Sequence, residues 1–189
     1  MPSKVQILLS PKPPSLRGGF LLEAAVEEPF YADGLKFSCT RCSACCTGEP
    51  GYVFLAPEDL RGLLRRFQLD FASFNERYCR MVNLGDRLAL SLRERRDHSC
   101  IFWSQDGCEV YDSRPVQCST YPFWSPILAS RRSWEDEASS CPGIDKGALH
   151  PRGEIEDALY RRRAAGQIEF PLEAAKRPEL IDEDKILGR

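Results

Sequence analysis

The chain has 189 residues, of which 42% are hydrophobic, with ten Phe, six Tyr and three Trp; that is enough for one domain with an apolar core of its own rather than a fold held by cross-links alone. Its 26 basic and 28 acidic residues nearly cancel, which argues against nucleic acid or an anionic membrane as a partner. Nine cysteines are the anomaly in this otherwise ordinary composition.

Residues 1–30 read as an N-terminal extension. Pro11, Pro13 and Pro14 make a flexible start, and Phe20 to Val26 then predict a segment lying on the domain surface. The apolar run Val5 to Leu9, with Gln6 inside it, is too short for a signal peptide and far too short to cross a bilayer. No later window is longer and uncharged, so the expectation is a cytoplasmic protein without a membrane partner, whose thiols stay reduced. In that compartment closely spaced cysteines point to metal ligation; in an exported chain eight of them would instead form disulfides.

Residues 31–145 read as the metal-binding domain. Phe37 precedes the run Cys39-Thr40-Arg41-Cys42-Ser43-Ala44-Cys45-Cys46 and is placed to cover it. Tyr52 to Leu55 predicts a short buried strand. Pro57, Glu58 and Asp59 suit a first helical turn, and Leu60, Leu63, Leu64 and Phe67 give that helix an apolar face. Asp70 caps a second helix with Phe71, Phe74 and Tyr78 on one side. Cys79 continues that pattern and reads as a core thiol. Leu84 to Leu92 predicts a strand. Asp106-Gly107 predicts a hairpin turn between Cys100–Trp103 and Cys108–Tyr111, bringing Cys100 and Cys108 together. Cys118 sits on a turn or helix opened by Arg114-Pro115, ahead of a stiff aromatic segment, Tyr121 to Pro126. Cys141-Pro142-Gly143 supplies the last cysteine. Residues 146–189 read as a C-terminal helix, from Glu154 to Arg163, and a charged tail ordered only in part. The fold class expected is α+β: a small cysteine-rich domain with short strands, one β-hairpin and two or three helices.

Cys39, Cys42 and Cys45 recur at intervals of three, a loop spacing that can turn three sulfurs towards one centre, as in cubane-binding ferredoxin loops or the paired thiols of zinc ribbons. Soft sulfur ligands suit iron and zinc equally. With Cys46, Cys100, Cys108, Cys118 and Cys141 the candidate ligands number eight, enough for two four-thiolate sites or for a cluster and an ion. Neighbouring residues project differently, so whether Cys45 and Cys46 face one centre or two is open. His98 and His150 read as non-ligands, and no Cys–His pair stands out as a nucleophile and its base. Arg114 has two readings: a donor to sulfur or carbonyl groups around the site, or a salt bridge to Asp112 or Glu109. The arginine clusters are interleaved with acids and read as solvated surface.

The order of these residues resembles one family. Phe37-x-Cys39-x-x-Cys42-x-x-Cys45-Cys46, then Cys100-Ile-Phe, Gly107-Cys108-x-Val-Tyr111-x-x-Arg114-Pro115-x-x-Cys118-x-x-Tyr121-Pro122-Phe123-Trp124 and Cys141-Pro142-Gly143 are similar, over about residues 35–145, to the YkgJ-type cysteine-cluster proteins, which carry a zinc- or iron-chelating CxxCxxCC domain. Two positions depart from that pattern: Ala56 stands where a capping Thr or Ser is frequent, and Ser119 replaces a frequent Arg. The resemblance implies metal binding. The functional expectation is a metalloprotein binding iron, as an iron–sulfur cluster, or zinc, with a redox or electron-transfer role. The alternatives are a zinc-stabilised protein-interaction module and an accessory part of a protein-modifying system, since a similar cysteine cluster occurs in the longer flagellin lysine N-methylases.

Overall fold

The computed structural model describes residues 28–177 and 180–188, so the predicted extension lies, up to residue 27, outside the described residues. The rest is a mixed α+β domain of six helices and seven short strands among those residues.

Helix α1 (Pro57–Phe67) starts where the sequence places it, with proline in its first turn. Ala56 cannot cap it, and the Asp59 carboxylate takes over by accepting the Ala56 N–H at 3.0 Å. Helix α2 (Phe71–Tyr78) is capped by Asp70, which accepts the Ser73 N–H at 2.7 Å. It ends one residue earlier than its apolar pattern suggests. Cys79 opens strand β2 (Cys79–Asn83), which pairs antiparallel with β3 (Arg87–Leu92) through a turn at Asn83–Asp86, with Gly85 at φ 102°. Cys79 is 2% exposed in the core, as expected, but on a strand. The predicted strand at Tyr52–Leu55 is reduced to a single bridge, Phe54 to Ser91, and Tyr52 is exposed. The segment still runs along β3, the Leu55 N–H donating to the Leu90 carbonyl and the Leu92 N–H to the Val53 carbonyl.

The hairpin forms, with strands of only two residues: β4 (Trp103–Ser104) and β5 (Gly107–Cys108), Trp103 opposite Cys108. Helix α3 (Val116–Ser119) carries Cys118. Helix α4 (Arg131–Glu137) buries Trp134 completely. Strand β1 (Leu35–Phe37) pairs with β6 (Ile144–His150), with a register shift between Lys36 and Phe37. Helix α5 (Arg152–Ala164) is longer at both ends than predicted.

The described part of the tail adds two elements that the sequence does not announce. Strand β7 (Glu169–Pro171) is the third strand beside β3, with Phe170 opposite Leu88, and helix α6 (Glu183–Leu187) buries Ile186 and Leu187. A charged tail becomes ordered here because its few apolar side chains meet a surface formed far upstream.

Two apolar clusters result. The larger joins α1, α2, β2, β3, β7 and α6 around Phe74, Phe102 and Leu90, with Cys100 and Cys108 packed at its margin. Within it Phe67, Phe74, Tyr78 and Phe102 lie with ring centroids 5.0–6.4 Å apart. The smaller joins β1, β6, α4 and α5 around Phe37, Phe123, Trp134 and Cys141. No helix among the described residues is long and apolar enough to cross a membrane.

Candidate metal centre

The cysteine run leaves the end of β1, and β1 is tightly held. The His150 Nε2–H donates to the Phe37 carbonyl at 3.0 Å while its Nδ1 faces Glu154 at 3.0 Å. Phe37 itself packs edge-on against Tyr121 and Phe123, so it covers the smaller apolar cluster. Ser38 is clasped between two glycines: its N–H donates to the Gly143 carbonyl and its Oγ accepts the Ala148 N–H. A Cβ on Gly147 would lie 2.0 Å from Ser38 Oγ, and one on Gly143 would lie 2.3 Å from the Ser38 carbonyl oxygen, so neither position takes a side chain. The run therefore starts from a fixed point, with the segments carrying Cys39 and Cys141 side by side.

Beyond Ser38 the backbone curls. Arg41 and Ser43, neither of them glycine, have φ of 55° and 64°, a region that costs ordinary residues about 1 kcal/mol each. The run ends in a 3-10 turn, Ala44–Cys46, and is tied down by the Cys100 N–H, which donates to the Cys46 carbonyl at 2.8 Å. That bond links the first cysteine segment to the second. The second is joined to the third by the hairpin, which sets Cys108 opposite Trp103 and close to Cys100. The helix bearing Cys118 is placed by Asp59, whose second carboxylate oxygen accepts the Val116 N–H at 2.8 Å. Gln117 next to it accepts the Phe54 N–H, donates to the Tyr52 carbonyl and receives Arg162.

Five of the eight candidate sulfurs gather. Cys45 and Cys46 Sγ are 3.9 Å apart. Cys45 interacts electrostatically with Cys46, Cys100, Cys108 and Cys118 alike. The sulfur-to-sulfur hydrogen bond with Cys46 draws the Cys45 thiol down to about 7 and pushes Cys46 up. Burial pushes Cys100, Cys108 and Cys118 up as well. Cys39 and Cys42 are exposed, as is Cys45. Cys141 is buried in the smaller apolar cluster against Tyr121, whose hydroxyl donates to Glu137 Oε1 at 2.6 Å. As the side chains lie, no group of three His, Cys, Asp or Glu among the described residues is arranged to hold an ion.

The donor set nevertheless fits a metal. In a tetrahedral site with metal–sulfur bonds of about 2.3 Å, two ligand sulfurs stand about 3.8 Å apart. The Cys45–Cys46 separation of 3.9 Å is close to that length. The surroundings fit too. Arg114 forms no salt bridge to Asp112 or Glu109; its guanidinium lies 3.7 Å from the Tyr111 ring centroid, and its Nε–H is shut from solvent with no acceptor among the described residues. Its charge acts on Cys45, Cys108 and Cys118. His98 is exposed on a loop. Sequence reasoning missed Gln117 and His150, because their partners lie 45 and 113 residues away and leave no local pattern.

Comparison with known proteins points to metal chelation. No solved structure matches the chain. Residues 38–142, more than half of the chain, match the family model CxxCxxCC, described as "Putative zinc- or iron-chelating domain". The matched span opens at the serine that anchors the run and closes just after Cys141, and the chain belongs to this zinc- or iron-chelating CxxCxxCC family, the YkgJ-type cysteine-cluster proteins.

Proposed function

We propose that the chain is an electron-carrying iron–thiolate protein in which Cys45 and Cys46 ligate the same iron, with further ligands drawn from Cys100, Cys108 and Cys118. The observation that carries this reading is the Sγ–Sγ separation of 3.9 Å between adjacent residues. In a cubane each iron takes one cysteine, so ligand sulfurs sit on different corners. A mononuclear or two-iron centre instead puts two cysteines on one metal, which suits adjacent thiols that share an edge. Cys45 is exposed at the surface, so a docked partner can reach the centre without a substrate cavity. A second set of ligands is Cys39, Cys42 and Cys141, of which the segments bearing Cys39 and Cys141 are brought side by side by the Ser38–Gly143 contact.

Metal and sulfide analysis of protein purified without oxygen tests the reading. The expected result is coloured protein with iron, no more than two irons for each set, and absorption that bleaches with dithionite. Stoichiometric zinc in colourless protein would overturn electron transfer and leave a zinc-stabilised interaction module. Four irons with four sulfides would overturn the shared-iron assignment. Serine at Cys45 or Cys46 should remove the metal, and serine at Cys79 should leave it.

A further inference from the structure

Tyr111 carries two cations. The Arg114 guanidinium lies 3.7 Å from its ring centroid, and the Arg41 guanidinium, from inside the cysteine run, lies 4.5 Å from the same point. The two charges are therefore within about 8 Å of each other, no further than about one screening length in ordinary salt. Neither forms an ion pair with a carboxylate among the described residues, although Glu109 and Asp112 flank Tyr111 in sequence. Several other arginines meet oxygen: Arg80 pairs with Glu94 although its own Nε–H is also buried without an acceptor, Arg93 meets the Cys79 carbonyl and Arg162 meets Gln117. Two guanidiniums on one ring with no anion repel each other, so the arrangement lacks a negative partner. The Arg114 Nε–H is buried without an acceptor, and so is the indole N–H of Trp103, the residue paired with Cys108. Buried donors without acceptors are rare in folded proteins, because each loses its bonds to water with no replacement.

We propose that the Arg41–Tyr111–Arg114 stack is the positive counterpart of the thiolate centre: Arg114 donates to and charge-balances its sulfurs, and Arg41 latches the Cys39–Cys46 run onto the downstream cysteines through the shared ring. This rests on the metal reading above. Four thiolates on a divalent ion leave two net negative charges, which two guanidiniums balance. Tyr111 is the fixed element, because a ring holds a cation at its face without spending the cation's N–H donors. Arg41 sits between Cys39 and Cys42 at φ 55°, so its backbone turn and its ring contact together hold the run against the downstream segment. Both arginines are positioning residues and ligate nothing.

Cobalt(II) is the probe, added without oxygen to metal-free protein, because its sulfur-to-metal bands report thiolate ligation whichever metal is native. Arg114→Gln should weaken cobalt binding about tenfold to a hundredfold, the usual range for partners of metal ligands, and move the sulfur-to-cobalt band to lower energy as the sulfurs lose a donor. Arg114→Lys keeps the charge and should recover much of the affinity. Arg41→Gln, an exposed substitution, should weaken binding about threefold to tenfold while melting of the metal-free protein stays unchanged. Wild-type thiolate bands with undiminished affinity and an unmoved band in both glutamine variants would overturn the role of the stack alone. An absence of thiolate bands in the wild type would overturn the metal reading and this inference with it.

Discussion

The aromatic cluster and the thiol cluster share a margin at Cys100 and Cys108, yet they differ in what completes them. Around Phe74 and Phe102 the packing is ring on ring, and both residues are 0–1% exposed. Nothing further is needed there, since burying a large aromatic side chain contributes about 1.5–3 kcal/mol without a partner ion. Around Cys45 the sulfurs come from four chain segments, two guanidiniums lack an anion, and the backbone at Arg41 and Ser43 adopts the left-handed region. One region is finished by packing alone. The other spends stability on an arrangement that a bound metal would repay. The two can therefore be separated experimentally.

The largest effect expected is in the finished region. Phe74→Ala should lower unfolding free energy by about 3–5 kcal/mol, measured by denaturant titration. The loss should be the same with and without metal, because the ring contacts of Phe74 are with Phe67, Tyr78 and Phe102. A loss confined to the metal-loaded protein would show that the two regions are one cooperative unit. Asp59→Ala probes the join between them. One carboxylate oxygen caps α1 and the other holds the N-terminus of the helix bearing Cys118. Removing both bonds should cost about 2–3 kcal/mol, combining a lost cap with a stranded backbone donor. It should also weaken metal binding, which Phe74→Ala should not. Intact metal affinity in the Asp59 variant would mean that Cys118 is positioned by other contacts.

Elements with a dense local pattern were readable in advance. Pro57-Glu58-Asp59 with Leu60 and Leu63, Asp70 with Phe71 and Phe74, and the Asp106-Gly107 turn all appear where expected. What escaped depends on distant partners. Strand β2 was hidden because Cys79 falls in phase with the helix before it and is recruited by Leu92 instead. Strand β7 was hidden because Phe170 is apolar for the sake of Leu88. The thiols show the same division. Spacing alone groups Cys39, Cys42 and Cys45, whereas the contact of Cys45 with Cys46 follows from the turn Ala44–Cys46, which no spacing announces. Spacing reports which residues can meet, and the bond from Cys100 to Cys46 decides which of them do.

The smallest effect sets one cysteine against the others. Cys79 belongs wholly to the packed region, and burial raises its thiol from 9.0 to about 12, with Arg93 pulling weakly the other way. Its folded form therefore holds the proton more tightly than the unfolded chain does. That contribution to stability is complete below the ordinary thiol value and is lost as pH climbs towards 12. At pH 10.5 the loss should reach about 2 kcal/mol, at about 1.4 kcal/mol for each pH unit above the unfolded value. The other cysteines and the tyrosines titrate in the same range, so the informative quantity is the difference between wild type and Cys79→Ala. The variant should start slightly less stable at pH 7 and close the gap by pH 10.5. Curves that stay parallel would mean that water reaches Cys79 and that the packed region is less closed around this thiol than its 2% exposure indicates.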